Sequence, residues 1–487
     1  MFTKNEYVIR MRRQHVNHPH LPQYHFVPPA NLLNDPNGLI QWGDTYHLFY
    51  QYNPNGAFHG TKHWGHAISD DLVSWHDLPI ALTPTPHSPD SSGCWSGSAI
   101  NWKGVPTLVY TGTQGIRDEI QTQCIATSDD DLISWKKYVD NPIIDAVPEM
   151  TAQKRNFRDP YVFEDGDGWS LLLGSQILGQ GGTLLLYHST DFINWEFKHP
   201  LMTGLEAETG SPWECPSFFP LGDRHVLIFS SLMPHKRLYY HVGTYENFHF
   251  TSELSGTLDH GIMYAPQVFA DNAGRQLMFG WIQEERPSEI QKTIGWSGAI
   301  SLPRELQLDA KGQLLQQIPP EVNKLRGKHT HFDYASTPLA KGQTVLPVTG
   351  RMLEITAGLR PVSEGQLTLR VLRHPEEFEY TDLTFDFSKR RFIVERTHAS
   401  TDPDLVHDSR TVPLESIEAE TWTLRVFIDQ SVLEIIINEQ ISLTTRIYPA
   451  STNSHEVSII NQCEENPLHT LDVWQMSSIW TYVTNPE

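Results

Sequence analysis

The chain has few of the features that mark membrane proteins, disulfide-rich proteins or nucleic-acid-binding proteins. It has no run of the roughly 18 apolar residues that a membrane-spanning helix needs. Its four cysteines form no CxxC pair, which argues against a disulfide scaffold and a structural zinc site; they are Cys94, Cys124, Cys215 and Cys463. The formal net charge of −22 argues against nucleic acid, because a polyanion binds a basic surface. We therefore expect no membrane, nucleic-acid or metal partner.

Two further absences narrow the fold and the location. The first twenty residues contain no apolar segment of a secretory signal, so cytoplasmic residence is the expectation. No long stretch has the 3.6-residue apolar period of a helix. Instead, 32 Gly, 33 Pro and 14 Trp favour many short strands and tight turns. The composition predicts an all-β protein.

A repeat runs through the first three hundred residues. Five segments have the pattern of two apolar strands joined by a glycine turn, and their glycines are 61, 62, 56 and 52 residues apart: Gly43, Gly104, Gly166, Gly222 and Gly274. A second repeated element ends at Trp75, Trp135 and Trp195, and we expect these rings to pack between repeats. About fifty to sixty residues with four strands is typical of a β-propeller blade. The repeat therefore predicts a five-bladed β-propeller.

A polar cluster precedes each hairpin: NDPN, CWSGS, FRDP, WECP and MYAP. In a propeller the innermost strand of every blade runs along the central channel, so equivalent positions converge at one mouth. Asp35, Asp159 and Glu214 lie in three of these clusters, 124 and 55 residues apart in sequence. We predict that their carboxylates meet in one acidic pocket.

These motifs and several others resemble those of the invertase–fructanase family of glycoside hydrolases. They are NDPNG (34–38), QYNP (51–54), HWGHA (63–67), WSGSA (95–99), FRDP (157–160), WECP (213–216), GWSGAISLPREL (295–306) and the stretch 424–449. The resemblance implies a five-bladed β-propeller followed by a C-terminal β-sandwich. We place a propeller catalytic domain at 1–318 and a sandwich at 319–487, with the boundary near Pro319-Pro320.

The resemblance also implies catalytic roles for three acids. Asp35 would be the nucleophile, Glu214 the acid/base and Asp159 the stabiliser of the transition state. Glycoside cleavage passes through an oxocarbenium-like state, and retention requires a nucleophile and a proton donor roughly 5 Å apart. Asp35 would stay ionised if turn amides and Asn34 donate to it. The reaction needs no organic cofactor and no metal, and we expect none.

Seven further side chains are expected to bind the sugar, as the family implies: Asn34, Gln51, Trp64, Trp95, Ser96, Arg158 and Tyr264. Tyr264 and Gln267, from YAPQ, are weaker candidates near the pocket rim. Other interpretations stay open for some of them. The two tryptophans could pack between blades, Gln51 could be a structural amide, and Arg158 could form a structural ion pair.

The chain also departs from the family pattern near the pocket. Phe58-His59-Gly60 stands where family members carry a Trp before the Gly, so one aromatic wall is in doubt. Ser217 replaces the usual acid after WECP, and 259–267 lacks the acid that commonly precedes the aromatic pair. Each departure bears on which leaving group the pocket accepts.

The leading hypothesis is a retaining exo-β-fructofuranosidase that hydrolyses the fructosyl bond of sucrose through a covalent fructosyl-enzyme intermediate. Alternatives of the same class are a sucrose-6-phosphate hydrolase, an exo-hydrolase of inulin or levan, and a fructosyltransferase. An alternative of another class is a sugar-binding propeller without catalysis. In every case the expected partner is a small sugar, and the oligomeric state is left open.

Overall fold

The structure is a computed structural model that describes residues 6–484 except 116, 118, 152–154 and 235. Its first part forms five antiparallel sheets in chain order, and the prediction of a five-bladed propeller is confirmed. Blades 1 and 2 contain β1 (Asn31–Trp42), β2 (Thr45–Asn53), β3 (His63–Ser69), β4 (His76–Leu82), β5 (Gly93–Trp102), β6 (Val105–Gln114), β7 (Ile120–Thr127) and β8 (Lys136–Lys137).

Blades 3 and 4 contain β9 (Arg158–Asp165), β10 (Gly168–Ile177), β11 (Gly181–Ser189), β12 (Glu196–Thr203), β13 (Ser211–Leu221), β14 (Arg224–Met233), β15 (Arg237–Glu246) and β16 (His249–Thr257). The strands that follow are β17 (Met263–Ala270), β18 (Gln276–Ile282), β19 (Trp296–Ser297), β20 (Ala299–Ile300), β21 (Arg304–Leu308) and β22 (Leu314–Gln317). All of these belong to blade 5 except β19, which pairs in parallel with β1.

The five inner strands close into a ring. The first strand of each blade contacts the first strand of the next, and β17 of blade 5 contacts β1 of blade 1. The chain also returns to blade 1 through β19, where Trp296 pairs with Asn31. Each hairpin carries its predicted glycine, with φ from 57° to 88°, a range that side chains disfavour. The ring therefore places the five strand beginnings around one channel.

The repeated tryptophans pack between blades, as expected. The Trp75 ring of blade 1 lies 5.9 Å from the Phe279 ring of blade 5. Trp135 of blade 2 lies 5.6 Å from Phe49 of blade 1. Trp195 of blade 3 packs against an apolar cluster that contains Val109 of blade 2. Aromatic contacts of this kind hold neighbouring blades together.

The second part of the chain forms a sandwich of two six-stranded sheets. Its strands are β23 (Arg326–Asp333), β24 (Gly342–Thr349), β25 (Met352–Leu359), β26 (Gln366–Arg373), β27 (Thr381–Asp386), β28 (Arg391–Glu395), β29 (Ser409–Pro413), β30 (Trp422–Asp429), β31 (Val432–Ile437), β32 (Ile441–Arg446), β33 (Glu456–Asn461) and β34 (Leu468–Met476). One sheet has the order β23-β34-β25-β30-β31-β32 and the other β24-β33-β26-β27-β28-β29. A single apolar core fills the space between them.

Helices are few and short: α1 (Glu6–His15), α2 (Glu206–Thr209), α3 (Ser288–Ile294), α4 (Thr481–Thr484) and a 3-10 helix (Pro320–Leu325). Over the residues described, none of them combines the length and apolar character needed to cross a bilayer. Sequence analysis did not predict α1. Its Arg12 binds Asp77 of blade 1 at 2.8 Å and lies 3.8 Å from the Trp480 ring. The beginning of the chain is thus joined both to the propeller and to the end of the chain, and the division at 318/319 stays a prediction.

Candidate active site

All five inner strands contain a β-bulge at the same level of the channel. The register breaks there in every blade, and the bulges contain Asp35-Pro36, Ser96-Gly97, Asp159-Pro160, Cys215-Pro216 and Ala265-Pro266. A bulge redirects a side chain that would otherwise alternate between the two faces of the sheet. The proline that follows in four of them cannot donate to the ladder. The bulges therefore turn polar side chains of several blades towards one point.

Asp35 lies at this point between two hydrogen-bond donors. The Asn34 amide Nδ2 donates to Asp35 Oδ1 at 2.9 Å. The Ser96 hydroxyl donates to Asp35 Oδ2 at 2.6 Å. Donors on both oxygens fix the orientation of the carboxylate. The predicted grouping of these three residues is present in the structure.

Asp159 lies beside Asp35, with the Cys215 thiol between them. Cys215 Sγ is 3.5 Å from Asp159 Oδ2 and 3.7 Å from Asp35 Oδ2. The Cys215 backbone N–H also donates to Asp159 Oδ2 at 3.1 Å. Burial raises the pKa of Asp159 to about 7; Arg158 opposes the rise, while Glu214 and Asp35 add to it. Acids from three blades therefore share one electrostatic environment.

Glu214 faces Arg158 on one side and Tyr264 on the other. The Arg158 guanidinium donates to Glu214 Oε1, and its Nε lies 3.9 Å from Asp159 Oδ2. The Tyr264 hydroxyl donates to Glu214 Oε2 at 2.5 Å. Burial and the Glu214 carboxylate raise the pKa of the Tyr264 hydroxyl well above its usual value, so it stays a donor. Arg158 also lies 5.7 Å from the Trp95 ring, which is half-buried beside it.

Two predicted sugar contacts lie away from this point. Trp64 is fully buried and its Nε1 donates to the Trp95 carbonyl at 2.9 Å, so the prediction that it lines the pocket is wrong. A ring with no exposed surface packs between strands and does not meet a ligand. Gln51 is 2 % exposed and its Nε2 donates to the Cys94 carbonyl at 3.1 Å. This is the contact of a structural amide, and sugar binding by Gln51 stays a prediction.

Two other positions of interest link blades. Gln267 lies inside the channel, where Nε2 donates to the Gly97 carbonyl at 2.6 Å and Oε1 accepts from the Leu39 N–H. Ser217, which stands where an acid was expected, is fully buried and accepts from the Val268 N–H at 3.2 Å. Both side chains hold the ring closed.

Sequence analysis missed three neighbours of the pocket, all with long or aromatic side chains. Lys62 Nζ donates to Asn34 Oδ1 at 2.6 Å. Lys236 Nζ lies 5.2 Å from the centres of both the Tyr264 and the Trp281 rings. Lys62 lies two residues after the departure at 58–60, and this was a usable signal. Lys236 and Trp281 lie outside every motif, so only the tertiary structure brings them to the site.

The arrangement suits acid–base and nucleophilic chemistry on a polar ligand. A small cavity of about 10 Å³ lies in the channel beside Asp159, and Ser96 and Cys215 are among its other lining residues. Among the described residues, Arg158 is the one cationic side chain within ion-pair distance of two of the three carboxylates. In the part of the chain that is described, no group of three or more His, Cys, Asp or Glu side chains is placed to hold a metal ion.

Comparison with known proteins gives matches over nearly the whole chain. Residues 25–319 match the model of the glycosyl hydrolases family 32 N-terminal domain, and residues 321–475 match that of the family 32 C-terminal domain. A sucrose-6-phosphate hydrolase of Escherichia coli is 32% identical over 490 residues, which is 94% of each chain. The crystal structure of fructan 1-exohydrolase IIa from Cichorium intybus is 26% identical with a TM-score of 0.81, covering 95% of this chain and 98% of that one. The sucrose-6-phosphate hydrolase of Lactobacillus gasseri is 27% identical with a TM-score of 0.83, covering 97% and 96%.

Proposed function

The chain belongs to glycosyl hydrolases family 32, and from that premise we propose that it is a retaining exo-β-fructofuranosidase whose substrate is sucrose. The chain is a glycoside hydrolase by family, and the substrate, the mechanism and the residue roles are our proposals. The observation that carries them is the convergence of Asp35, Asp159 and Glu214, from blades 1, 3 and 4, at one point of the propeller channel, where Cys215 and Arg158 contact them.

In the proposed first step, the Asp35 carboxylate attacks the anomeric carbon of the fructosyl unit. The bond from that carbon to the glycosidic oxygen breaks, and Glu214 gives its proton to the departing glucose oxygen. In the second step, Glu214 takes a proton from water, and the resulting hydroxide displaces Asp35 from the fructosyl ester. Fructose leaves with its starting configuration, and both acids return to their first state.

The neighbours of the three acids fit these roles. Asn34 and Ser96 donate to Asp35 and hold it for attack, which lowers the entropy cost of reaching the reacting geometry. Asp159 can accept from sugar hydroxyls. We expect those hydroxyls to compete for Arg158 as well, which would free Glu214 to hold the proton it must deliver. Trp95 and Trp281 offer apolar surface for the ring.

A second candidate substrate is sucrose 6-phosphate, and one observation favours it. Lys236 lies at the pocket, and much of its residue surface is exposed. Partial enclosure of its ammonium group lowers its pKa, while Asp35 and Glu214 act against that fall. Its ammonium is a positive charge at the mouth of an acidic pocket in a chain of net charge −22. A cation there suits a phosphate on the glucose unit. The net charge of the whole chain favours the neutral sugar.

Initial rates on sucrose, sucrose 6-phosphate, inulin and levan test the proposal, measured at several pH values. Fastest turnover of sucrose, with β-fructose appearing first by NMR, is the expected result. A preference for the phosphate that falls in K236M supports the second candidate. Fastest release from inulin or levan indicates a fructan exo-hydrolase, and transfer to a sugar acceptor indicates a fructosyltransferase. Sugar binding without release from any fructoside indicates the non-catalytic propeller.

Cytoplasmic residence is also a proposal. It is tested by fractionating cells that express the chain.

A further inference from the structure

Lys62 is a buried ammonium that contacts none of the acids of the pocket directly. The residue is 9 % exposed and lies just before β3. Its Nζ donates to Asn34 Oδ1 at 2.6 Å and to His59 Nδ1 at 3.2 Å. Burial lowers its pKa to about 8, and Asp35 opposes the fall. A buried lysine is unfavourable for stability unless it is paired, so this position needs an explanation.

The first contact determines which way the Asn34 amide points. An ammonium group can only donate, so Lys62 selects the orientation in which Asn34 Oδ1 faces it. The Asn34 NH2 group then faces Asp35 and donates at 2.9 Å. If the amide turned over, two oxygen acceptors would oppose each other. Lys62 therefore acts through Asn34 to keep a hydrogen-bond donor on the proposed nucleophile.

The second contact determines the form of His59. Because Lys62 donates to Nδ1, that nitrogen accepts and the imidazole is neutral with its proton on Nε2. Enclosure of the ring and the Lys62 and Lys236 ammonium groups together lower the pKa of His59 to about 4, although much of the residue surface is exposed. The ring lies 6.2 Å from Trp281. Within the described residues Nε2 has no hydrogen-bond partner, so it is available to a sugar hydroxyl.

We propose that Lys62 is a positioning residue that holds the Asn34 amide on Asp35 and keeps His59 as a neutral N–H donor at the pocket mouth. The inference rests on the proposed function, because it treats Asp35 as the nucleophile. The charged and titratable groups that surround Lys62 are Asp35 and His59, with Lys236 beyond the imidazole.

Steady-state kinetics of K62M and K62Q on the substrate turned over fastest test the role. K62M removes the donor, and we expect kcat to fall about 10- to 100-fold, the usual cost of losing a supporting contact. K62Q keeps an N–H donor for Asn34 and should recover part of that loss. The melting temperature should be unchanged or higher, because a buried charge has been removed. K137M is the matched control, since Lys137 binds Asp90 in blade 2, and its kcat should match the wild type.

The double variant N34A/K62M separates positioning from general damage. If Lys62 acts through Asn34, adding K62M to N34A should cost less than threefold in kcat, far less than K62M alone. The pH profile gives a second measure. The wild type should lose activity as pH rises through about 8, and the part of this loss that comes from deprotonation of Lys62 should be absent in K62Q, whose side chain does not titrate.

Two results would overturn the inference alone: an active wild type with a fully active K62M, or equal losses from K62M in the presence and absence of Asn34. A wild type that releases fructose from no substrate would overturn the proposed function, and the inference with it.

Discussion

Buried carboxylates in two regions of the molecule have opposite properties. At the interface between propeller and sandwich, Glu434 contacts Arg304 at 2.5 Å and His25 at 2.9 Å, and its pKa is lowered to about 2. In the propeller channel, Asp159 shares Arg158 with Glu214, and its pKa is raised to about 7. Burial acts upwards on both pKa values. The difference comes from the number of cations available to each acid.

Another interface acid follows the same rule. Glu284 contacts Arg286 at 2.9 Å, and Arg286 and Arg446 lower its pKa to about 2. Fully paired acids hold the two parts of the chain together. Acids with fewer cationic partners keep a negative charge that a reaction can use. Groups in a cleft whose pKa values are strongly shifted are typical of functional sites.

The largest effect should come from D35N in the channel. Loss of the nucleophile is expected to lower kcat by about 10⁴-fold or more. The melting temperature should stay equal or rise, because one of three like charges is removed. Rates on the preferred fructoside and a thermal melt check both points. Near wild-type turnover in D35N would show that this acid is not the nucleophile.

The next largest loss of activity should come from E214Q, and its size should depend on the leaving group. Loss of general acid catalysis costs about 10²- to 10⁴-fold with a poor leaving group. A fructoside with an activated aryl leaving group needs no proton and should lose much less in the first step. The ratio of the two rates, in wild type and variant, is the measurement. Equal losses on both substrates would contradict the acid role.

E434Q should affect stability and leave the chemistry unchanged. It leaves Arg304 and His25, both fully buried, with one partner fewer, which costs about 3–5 kcal/mol of unfolding free energy. Urea unfolding measures this, with kcat per folded molecule unchanged. E418Q is the control, because the Lys311–Glu418 pair is exposed and its loss should not be measurable. Equal urea midpoints for E434Q and the wild type would contradict the distinction between the interface acids and the channel acids.

The smallest effect should be a pH dependence of stability from Asp159. Its pKa is raised from 3.8 to about 7 on folding, so the folded state binds the extra proton between these values. The stabilisation is complete below pH 3.8 and is lost as pH rises through about 7. D159N is uncharged at every pH, so its melting temperature should exceed that of the wild type by a margin that grows from pH 4 to pH 8. Parallel curves would contradict the raised pKa.

Much of the fold could be predicted because its signals are local. The glycine turns recur at nearly constant steps, and each now lies in a hairpin of its own blade. The helix α1 escaped prediction because it is only ten residues long and is held by contacts to Asp77 and Trp480, which are far away in sequence. Short helices depend on such packing more than on propensity.

The site was predicted in part for the same reason. Residues inside recognisable motifs, such as Ser96 and Arg158, contact the acids directly. The motif alone could not show that Trp64 points into the packing between strands, since alternation along β3 depends on where the register breaks. Lys236 and Trp281 belong to no motif and reach the pocket through the arrangement of blades 4 and 5.

By itself the sequence determined that five similar hairpins form, that three of them begin with an acid, and that an apolar β-rich segment follows. These properties depend on turn residues and strand patterns within about sixty residues. Only the tertiary structure decided which arginine pairs with which buried acid. Arg158 lies 56 residues from Glu214, and Arg304 lies 130 residues from Glu434. Electrostatic energy depends on distance in space and on burial, neither of which is written in the order of the chain.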